Sequence, residues 1–518
     1  MQAGTKLLCA LAIAGLAGGT TTAARADAIT VKTQQGKVQG KTINEGKVKA
    51  FLGLPYAAPP VGKLRWKAPE PPAKWKGVRD AGKFGAHCAQ GRVFDDMVFQ
   101  DAGPSEDCLF LNVYAPADSS QKSKLPVMFW IHGGGYSGGA SSEPRHNGDF
   151  LPLKGVVLVT INYRLGVFGF LATTDLAREG NGVAGNYAML DMVAALQWVK
   201  QNIKKFGGDP DNVTIFGESA GSFAVSTLMA SPITKGLFQK AIGESGGAFS
   251  AVLPTDALEA RLKKDDQWVA GLGVTSLADL RALPTDKILA AAKGQKGGFP
   301  LDLDGRFLTE PVPETYAQGK QAHLPLLAGW NRDENSFLAN GMTAEKWKGM
   351  AAELFKDRAA EFLAVYPGST DEQAIDSAVA YGSDAFIAFG TWKWLEAHRQ
   401  TGASPVYRYH FELRALPSKY HPGTFAFHSD DIEYVFGTLD TRPGETVRPE
   451  DRQLSDEMMS YWTNFAKTGD PNGTGLPTWP RYDTGDALIH LDSTITSGPD
   501  ALRPRYEFLL KGMPTNRF

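Results

Sequence analysis

Five short apolar runs, at residues 127–131, 156–161, 213–216, 324–328 and 406–411, interrupt an otherwise mixed chain, and each has the length of a strand. They are apolar at nearly every position rather than at alternate ones. Such strands are buried on both faces, so the runs predict a central, mostly parallel, twisted sheet flanked by helices. Residues 186–206 place Leu190, Val193, Ala194, Val199 and Ile203 near helical spacing, and Gly207-Gly208-Asp209-Pro210 ends that helix. Two stretches, 254–319 and 344–400, are helix-rich by composition and are expected on the lid side of a pocket.

Chemistry is expected where the runs stop. After Val213-Thr214-Ile215-Phe216 comes Gly217-Glu218-Ser219-Ala220-Gly221, then a helix-compatible stretch. A serine on a tight strand-to-helix turn has its hydroxyl thrust out of the sheet, as attack on a carbonyl requires, and flanking glycines avoid collision. Gly243-Glu244-Ser245-Gly246-Gly247 fits the same pattern, but the glycines after it offer no prompt helix N-terminus to stabilise an oxyanion. Ser219 is therefore the expected nucleophile, and Ser245 a strand-end residue that hydrogen-bonds nearby. The run 127–131 leads into His132-Gly133-Gly134-Gly135-Tyr136, whose bare amides can approach a substrate oxygen at a strand's carboxyl end.

Together these motifs resemble the type B carboxylesterases, the family that includes the cholinesterases. Ser105-Glu106-Asp107-Cys108-Leu109-Phe110-Leu111-Asn112 looks like that family's second signature, and Asn162-Tyr163-Arg164-Leu165-Gly166-Val167-Phe168-Gly169-Phe170 like another shared block. The resemblance runs from about residue 36 to about residue 437. It implies an α/β-hydrolase fold with helical insertions forming a lid over an active-site gorge, and hydrolysis of carboxylic esters. By the same resemblance Ser219 is the nucleophile, Glu334 the acid and His428 the base. The oxyanion hole falls to the N–H groups of Gly134, Gly135 and Ala220. The order serine, acid, histidine is that of α/β-hydrolases. Asp333, adjacent to Glu334, is the rival for the acid. Among 9 histidines, His132 belongs to the glycine loop with a structural role, and only His428 sits in a base-like context. The resemblance also makes Arg65 with Glu106 and Arg164 with Asp191 structural ion pairs, and pairs Cys108 with Cys88 in a disulfide bordering the gorge. Within that loop, residues 89–104 hold no tryptophan to carry a choline by cation–π attraction. Phe94 or Phe99 is a weak substitute, so an apolar or aryl group is expected instead.

Composition narrows the setting. Lys6, the apolar stretch 7–17 and Ala24-Arg25-Ala26 read as a signal peptide over residues 1–26, cleaved before Asp27, which predicts a secreted or periplasmic protein. Cleavage removes one of 3 cysteines and leaves Cys88 and Cys108 as a pair. It also takes the formal charge from −2 to −4, too small to imply nucleic-acid binding or attraction to a membrane surface. With 43% hydrophobic residues and no linker or repeat, residues 27–518 read as a single catalytic domain. No HExxH, paired CxxC or P-loop motif calls for a metal or cofactor. The expected partner is a small-molecule ester.

Overall fold

The computed structural model describes residues 29–91, 94–418, 423–442 and 444–513, so the expected signal peptide lies outside the described residues. A 13-stranded sheet runs through the molecule. Its strands in chain order are β1 (Ile29–Lys32), β2 (Lys37–Ile43), β3 (Val48–Pro55), β4 (Phe110–Pro116), β5 (Leu125–Ile131), β6 (Val157–Ile161), β7 (Gly208–Glu218), β8 (Lys240–Glu244), β9 (Leu326–Asn331), β10 (Val406–Phe411), β11 (Ala487–Leu491) and β12 (Thr496–Pro499). Neighbours follow the order β1-β2-β3-β4-β6-β5-β7-β8-β9-β10-β11-β12, with Val78–Asp80 added beside β2. From β6 to β11 every pairing is parallel, whereas β1 to β4 and the β11–β12 edge are antiparallel. The five predicted runs all lie in the parallel stretch. The first two antiparallel strands alternate and mark the chain more faintly: Lys37–Ile43 reads exposed, buried, exposed, buried at its start, whereas β3 and β4 are buried along most of their length.

Burial on both faces explains the solid runs. Val127, Phe129 and Ile131 of β5 enter one core, together with the inward residues of α1 (Tyr187–Asn202) and α2 (Ala220–Ala230). Met128 and Trp130 enter the opposite core, with Trp462 and Phe465 of α3 (Pro449–Thr468). Successive strand side chains point to opposite faces, so a strand sandwiched by helices must be apolar throughout. The helix expected at 186–206 is α1 followed by a 3-10 turn, Ile203–Phe206, and Gly207 then adopts a left-handed conformation, φ 97°.

The two helix-rich stretches carry four α-helices each: Leu258–Ala270, Leu277–Ala282, Thr285–Ala292 and Val312–Ala317, then Ala344–Phe355, Ala359–Val365, Asp371–Ser383 and Phe389–Thr401, the last two joined by a π-helical turn, Asp384–Ala388. The first also holds a two-stranded parallel sheet, Thr255–Ala257 with Leu301–Leu303, which its composition did not signal. Among the described residues no helix is long and apolar enough to cross a membrane.

Candidate active site

β7 ends at Glu218 and α2 begins at Ala220, leaving Ser219 at the corner with φ 52° and ψ −122°. A non-glycine residue seldom adopts positive φ, and neighbours must hold it there. Ser219 N–H donates to the Glu244 carbonyl at 2.9 Å, and the Ser219 carbonyl accepts from Phe223 N–H at 2.9 Å. Packing against β5 dictates the glycines of the turn. A β-carbon on Gly217 would stand 2.5 Å from the Ile131 carbonyl oxygen, and one on Gly221 only 2.0 Å from it.

Three segments far apart in sequence meet at the Ser219 hydroxyl. Its Oγ lies 2.8 Å from His428 Nε2, and His428 Nδ1–H donates to Glu334 Oε2 at 2.5 Å. The other carboxylate oxygen of Glu334 accepts from Asn331 N–H at 2.7 Å and from the Ser245 hydroxyl at 2.6 Å. Ser245 thus stands at the end of β8 and turns its side chain to Glu334. Asp333 serves a different contact. Its Oδ2 accepts from Ala426 N–H at 3.0 Å and from Arg414 at 3.2 Å, and its backbone pairs with Phe427. It fastens the histidine loop to the end of β9, while its neighbour meets the imidazole. Asn331 Nδ2 donates to the Phe427 carbonyl at 2.8 Å and Arg145 to the Ser429 carbonyl at 2.8 Å, so the backbone is anchored on both sides of His428.

The glycine loop closes the site from the β5 side. Gly134 and Gly135 take φ 95° and 60°, conformations that suit glycine, and both line a cavity with Ser219. Ala220 is the first residue of α2, where N–H groups lack an intrahelical acceptor. His132 is buried, stacks on Tyr163 with ring centroids 4.4 Å apart, and donates from Nδ1 to the Gly133 carbonyl at 2.9 Å. Burial pushes its pKa down to about 4, so it is neutral and shapes the loop.

Glu218 lies inside the serine pentapeptide, at a position where any residue fits the motif. It is buried beneath Gly133, with Oε1 3.3 Å from His428 Nε2. Burial pushes its carboxyl up to about 8. Burial also disfavours the imidazolium of His428, but the Glu218 and Glu334 carboxylates outweigh it and hold that ring up to about 9. Asp431 lies behind, accepting from Tyr409 at 2.7 Å and from Asn331 at 3.1 Å. Those two partners come from separate strands, β10 and β9, so no local pattern shows what Asp431 touches.

The cavity measures 520 Å³. Its apolar wall includes Met97, Phe223, Leu253, Phe386 and Ile387, with the Phe386 ring 5.1 Å from that of His428. Cys88 and Cys108 are disulfide-bonded, and the loop they close sends Phe94 and Met97 into the cavity. Phe99 is not among the lining residues: it stacks on His87 with centroids 4.3 Å apart. The helical insertions meet the cavity unequally. The second contributes Phe386 and Ile387, whereas among the described residues none of the first, 254–319, lines the cavity, so the expected lid role does not extend to it; Val252 and Leu253, just before that stretch, do line it. Most of the first packs in a separate core with Trp66 and Phe168. Arg65 pairs with Glu106 at 2.5 Å and Arg164 with Asp191 at 2.7 Å, both outside the cavity wall.

Comparison with known proteins agrees along almost the whole length. The model of the carboxylesterase family matches residues 27–506. The para-nitrobenzyl esterase of Bacillus subtilis (strain 168) is 38% identical over 507 residues, covering 93% of this chain and 99% of that protein. The fumonisin B1 esterase of Sphingopyxis macrogoltabida is 35% identical over 494 residues, 90% of this chain and 87% of that protein. A solved PNB esterase structure superposes with a TM-score of 0.79 at 35% identity, covering 93% of this chain and 99% of its own. The chain therefore belongs to the carboxylesterase family: it is a carboxylic-ester hydrolase built on the α/β-hydrolase fold.

Proposed function

We propose that this esterase works through an acyl-serine intermediate, with Ser219 as nucleophile, His428 as general base and acid, and Glu334 as the carboxylate that orients the imidazole. The observation that carries this is the unbroken relay from Ser219 Oγ to His428 Nε2 at 2.8 Å and from Nδ1 to Glu334 at 2.5 Å. As Oγ bonds to the ester carbonyl carbon, its proton passes to Nε2, and Glu334 stabilises the resulting imidazolium. The N–H groups of Gly134, Gly135 and Ala220 receive the tetrahedral oxyanion, each such donor lowering the barrier by about 3 kcal/mol. The proton on Nε2 then passes to the departing alcohol. Water, deprotonated by the same nitrogen, attacks the acyl-serine and releases the acid.

The wall of Phe94, Met97, Phe223, Phe386 and Ile387 favours an apolar or aryl group on the alcohol or acyl side. The name of the Bacillus subtilis relative points to a benzylic alcohol, which carries an aromatic ring. Asp95 and Asp96 also line the cavity, and its arginine, Arg145, is already bound to Glu433 at 2.9 Å, so neutral esters should be taken in preference to anionic ones. We read residues 27–518 as one catalytic unit, exported by the leader at 1–26 to the periplasm or the medium. The disulfide supports an oxidising compartment.

The test is hydrolysis of short-chain p-nitrophenyl esters by the purified protein and its Ser219→Ala variant. Wild-type turnover is expected, with a loss of at least about 10⁴-fold in kcat on substitution. Turnover that persists in the variant would overturn the proposal.

A further inference from the structure

A second cavity, of 390 Å³, shares none of its lining residues with the first and lies against β10 and β11. Three of its residues form a cluster that ester hydrolysis does not use. His410 and His490 are direct register partners on the parallel strands β10 and β11. Glu412, two positions beyond His410, falls on the same face as that histidine. Nδ1 of His410 lies 2.6 Å, and Nδ1 of His490 2.7 Å, from the same Glu412 oxygen, Oε1. One donor atom from each residue falls within 4.8 Å of the others.

We propose that His410, Glu412 and His490 bind one zinc ion, which ties β10 to β11 and takes no part in ester cleavage. Two imidazoles and one carboxylate are a donor set that zinc accepts with water in the fourth position, whereas calcium and magnesium require mainly oxygen ligands. Register places the ligands: two come from adjacent strands at one level, and the third projects from the same side of the sheet. In the present geometry each Nδ1–H donates to Glu412. On zinc each Nδ1 presents its lone pair and the ring keeps its single proton on Nε2, the exchange of positions passing through solvent. Tetrahedral zinc at about 2.0–2.1 Å from each ligand sets neighbouring donors about 3.3 Å apart, so the cluster must open by roughly half an ångström. The side chains of Glu412 and His490 are 23% and 27% exposed and have room to move, while His410 is held beneath the Trp330 ring at 6.3 Å. The cavity's three arginines do not repel the ion unopposed, because Arg332 and Arg414 stand 3.7 and 3.2 Å from Asp333 and Arg505 is bound to Asp384 at 2.7 Å.

The untagged, chelator-stripped full chain, titrated with zinc chloride in a calorimeter, provides the test. One site with a Kd at or below about 10 μM is expected, and saturating zinc should raise the thermal midpoint by at least about 2 °C. Glu412→Gln and His490→Gln should each weaken binding at least tenfold while p-nitrophenyl ester hydrolysis stays at the wild-type rate, which also reports that the variants fold. A Kd weaker than that, a midpoint that zinc does not raise, or a variant that keeps its affinity within tenfold overturns the proposal. Zinc captured instead by the Ser219 site would persist in both variants and inhibit hydrolysis, and that outcome overturns it too.

Discussion

At the scale of single residues, the strongest constraint on this site is the carboxyl that shares a wall with the proposed base. His428 must be neutral to accept the Ser219 proton, yet two carboxylates raise its pKa to about 9, and the nearer of them in the motif, Glu218, is itself raised to about 8 by burial. Groups this close titrate as a unit, so the acid limb of kcat/KM belongs to the pair. Because the neutral ring is the active form, activity should be low below that limb and rise with pH, with the midpoint between 6.5 and 9. Glu218→Gln removes one raising charge and should move the midpoint down. A pH–rate profile of both proteins checks this, and a wild-type midpoint at or below 6.5 would contradict it. The residue scale is also where the sequence was least legible. Ser219, Glu334 and His428 were accessible because each sits in a motif, and the motif's chain order carries information. Glu218 lay in the same motif without a role, because what makes it unusual is desolvation beneath Gly133, and desolvation leaves no local trace.

At the scale of elements, the turn from β7 into α2 sets the geometry of the site. Its tightness follows from contact with β5: the Ile131 carbonyl approaches Gly221 so closely that a single methyl would push strand and helix apart. Gly221→Ala should therefore lower kcat by about 10²-fold or more, since a displacement near 1 Å at a reacting group costs that much, and it should lower the thermal midpoint as well. Steady-state kinetics alongside a melting curve tests this, and wild-type kcat in the variant would refute it. The two serine motifs separate at this scale. Both Ser219 and Ser245 follow a parallel strand and both have φ 52°, but only Ser219 opens a helix of 11 residues. Ser245 is instead a hydrogen-bond donor to Glu334. The strands that could be read from the chain are those buried on both faces, whose composition alone is distinctive. The antiparallel strands β1 and β2 keep one face in partial contact with solvent, and their mixed composition resembles loop; β3 and β4 are buried, but Lys49, Gly53, Asn112 and the prolines at their ends break the apolar runs. Phe94 and Phe99 show the same limit in a loop: five residues apart and chemically identical, one faces the cavity and the other stacks on His87, a difference that only the loop's conformation decides.

At the scale of the whole molecule, the disulfide and the convergence of distant segments are the features that matter. Cys88 and Cys108 close a loop with a sequence separation of 20, and opening it frees the unfolded chain by about 3 kcal/mol in the chain-entropy model. The double variant Cys88→Ser/Cys108→Ser should unfold at lower denaturant by that amount and show a raised KM, because Phe94 and Met97 lose their tether. Chemical denaturation and initial-rate kinetics under oxidising conditions measure both, and unchanged values would remove the loop from the account. The site itself exists only in the folded chain, since the contacts on His428 span 94 residues to Glu334 and 209 residues to Ser219. Sequence motifs could name the three side chains, but only the sheet order brings them together. The most direct test of that convergence is to treat the protein with a fluorophosphonate ester and map the modified peptide by mass spectrometry. Stoichiometric label on Ser219, with its rate falling at least about 10³-fold in His428→Ala, is the expected result. Label on Ser245, or on Ser219 at an undiminished rate without the imidazole, would contradict the account.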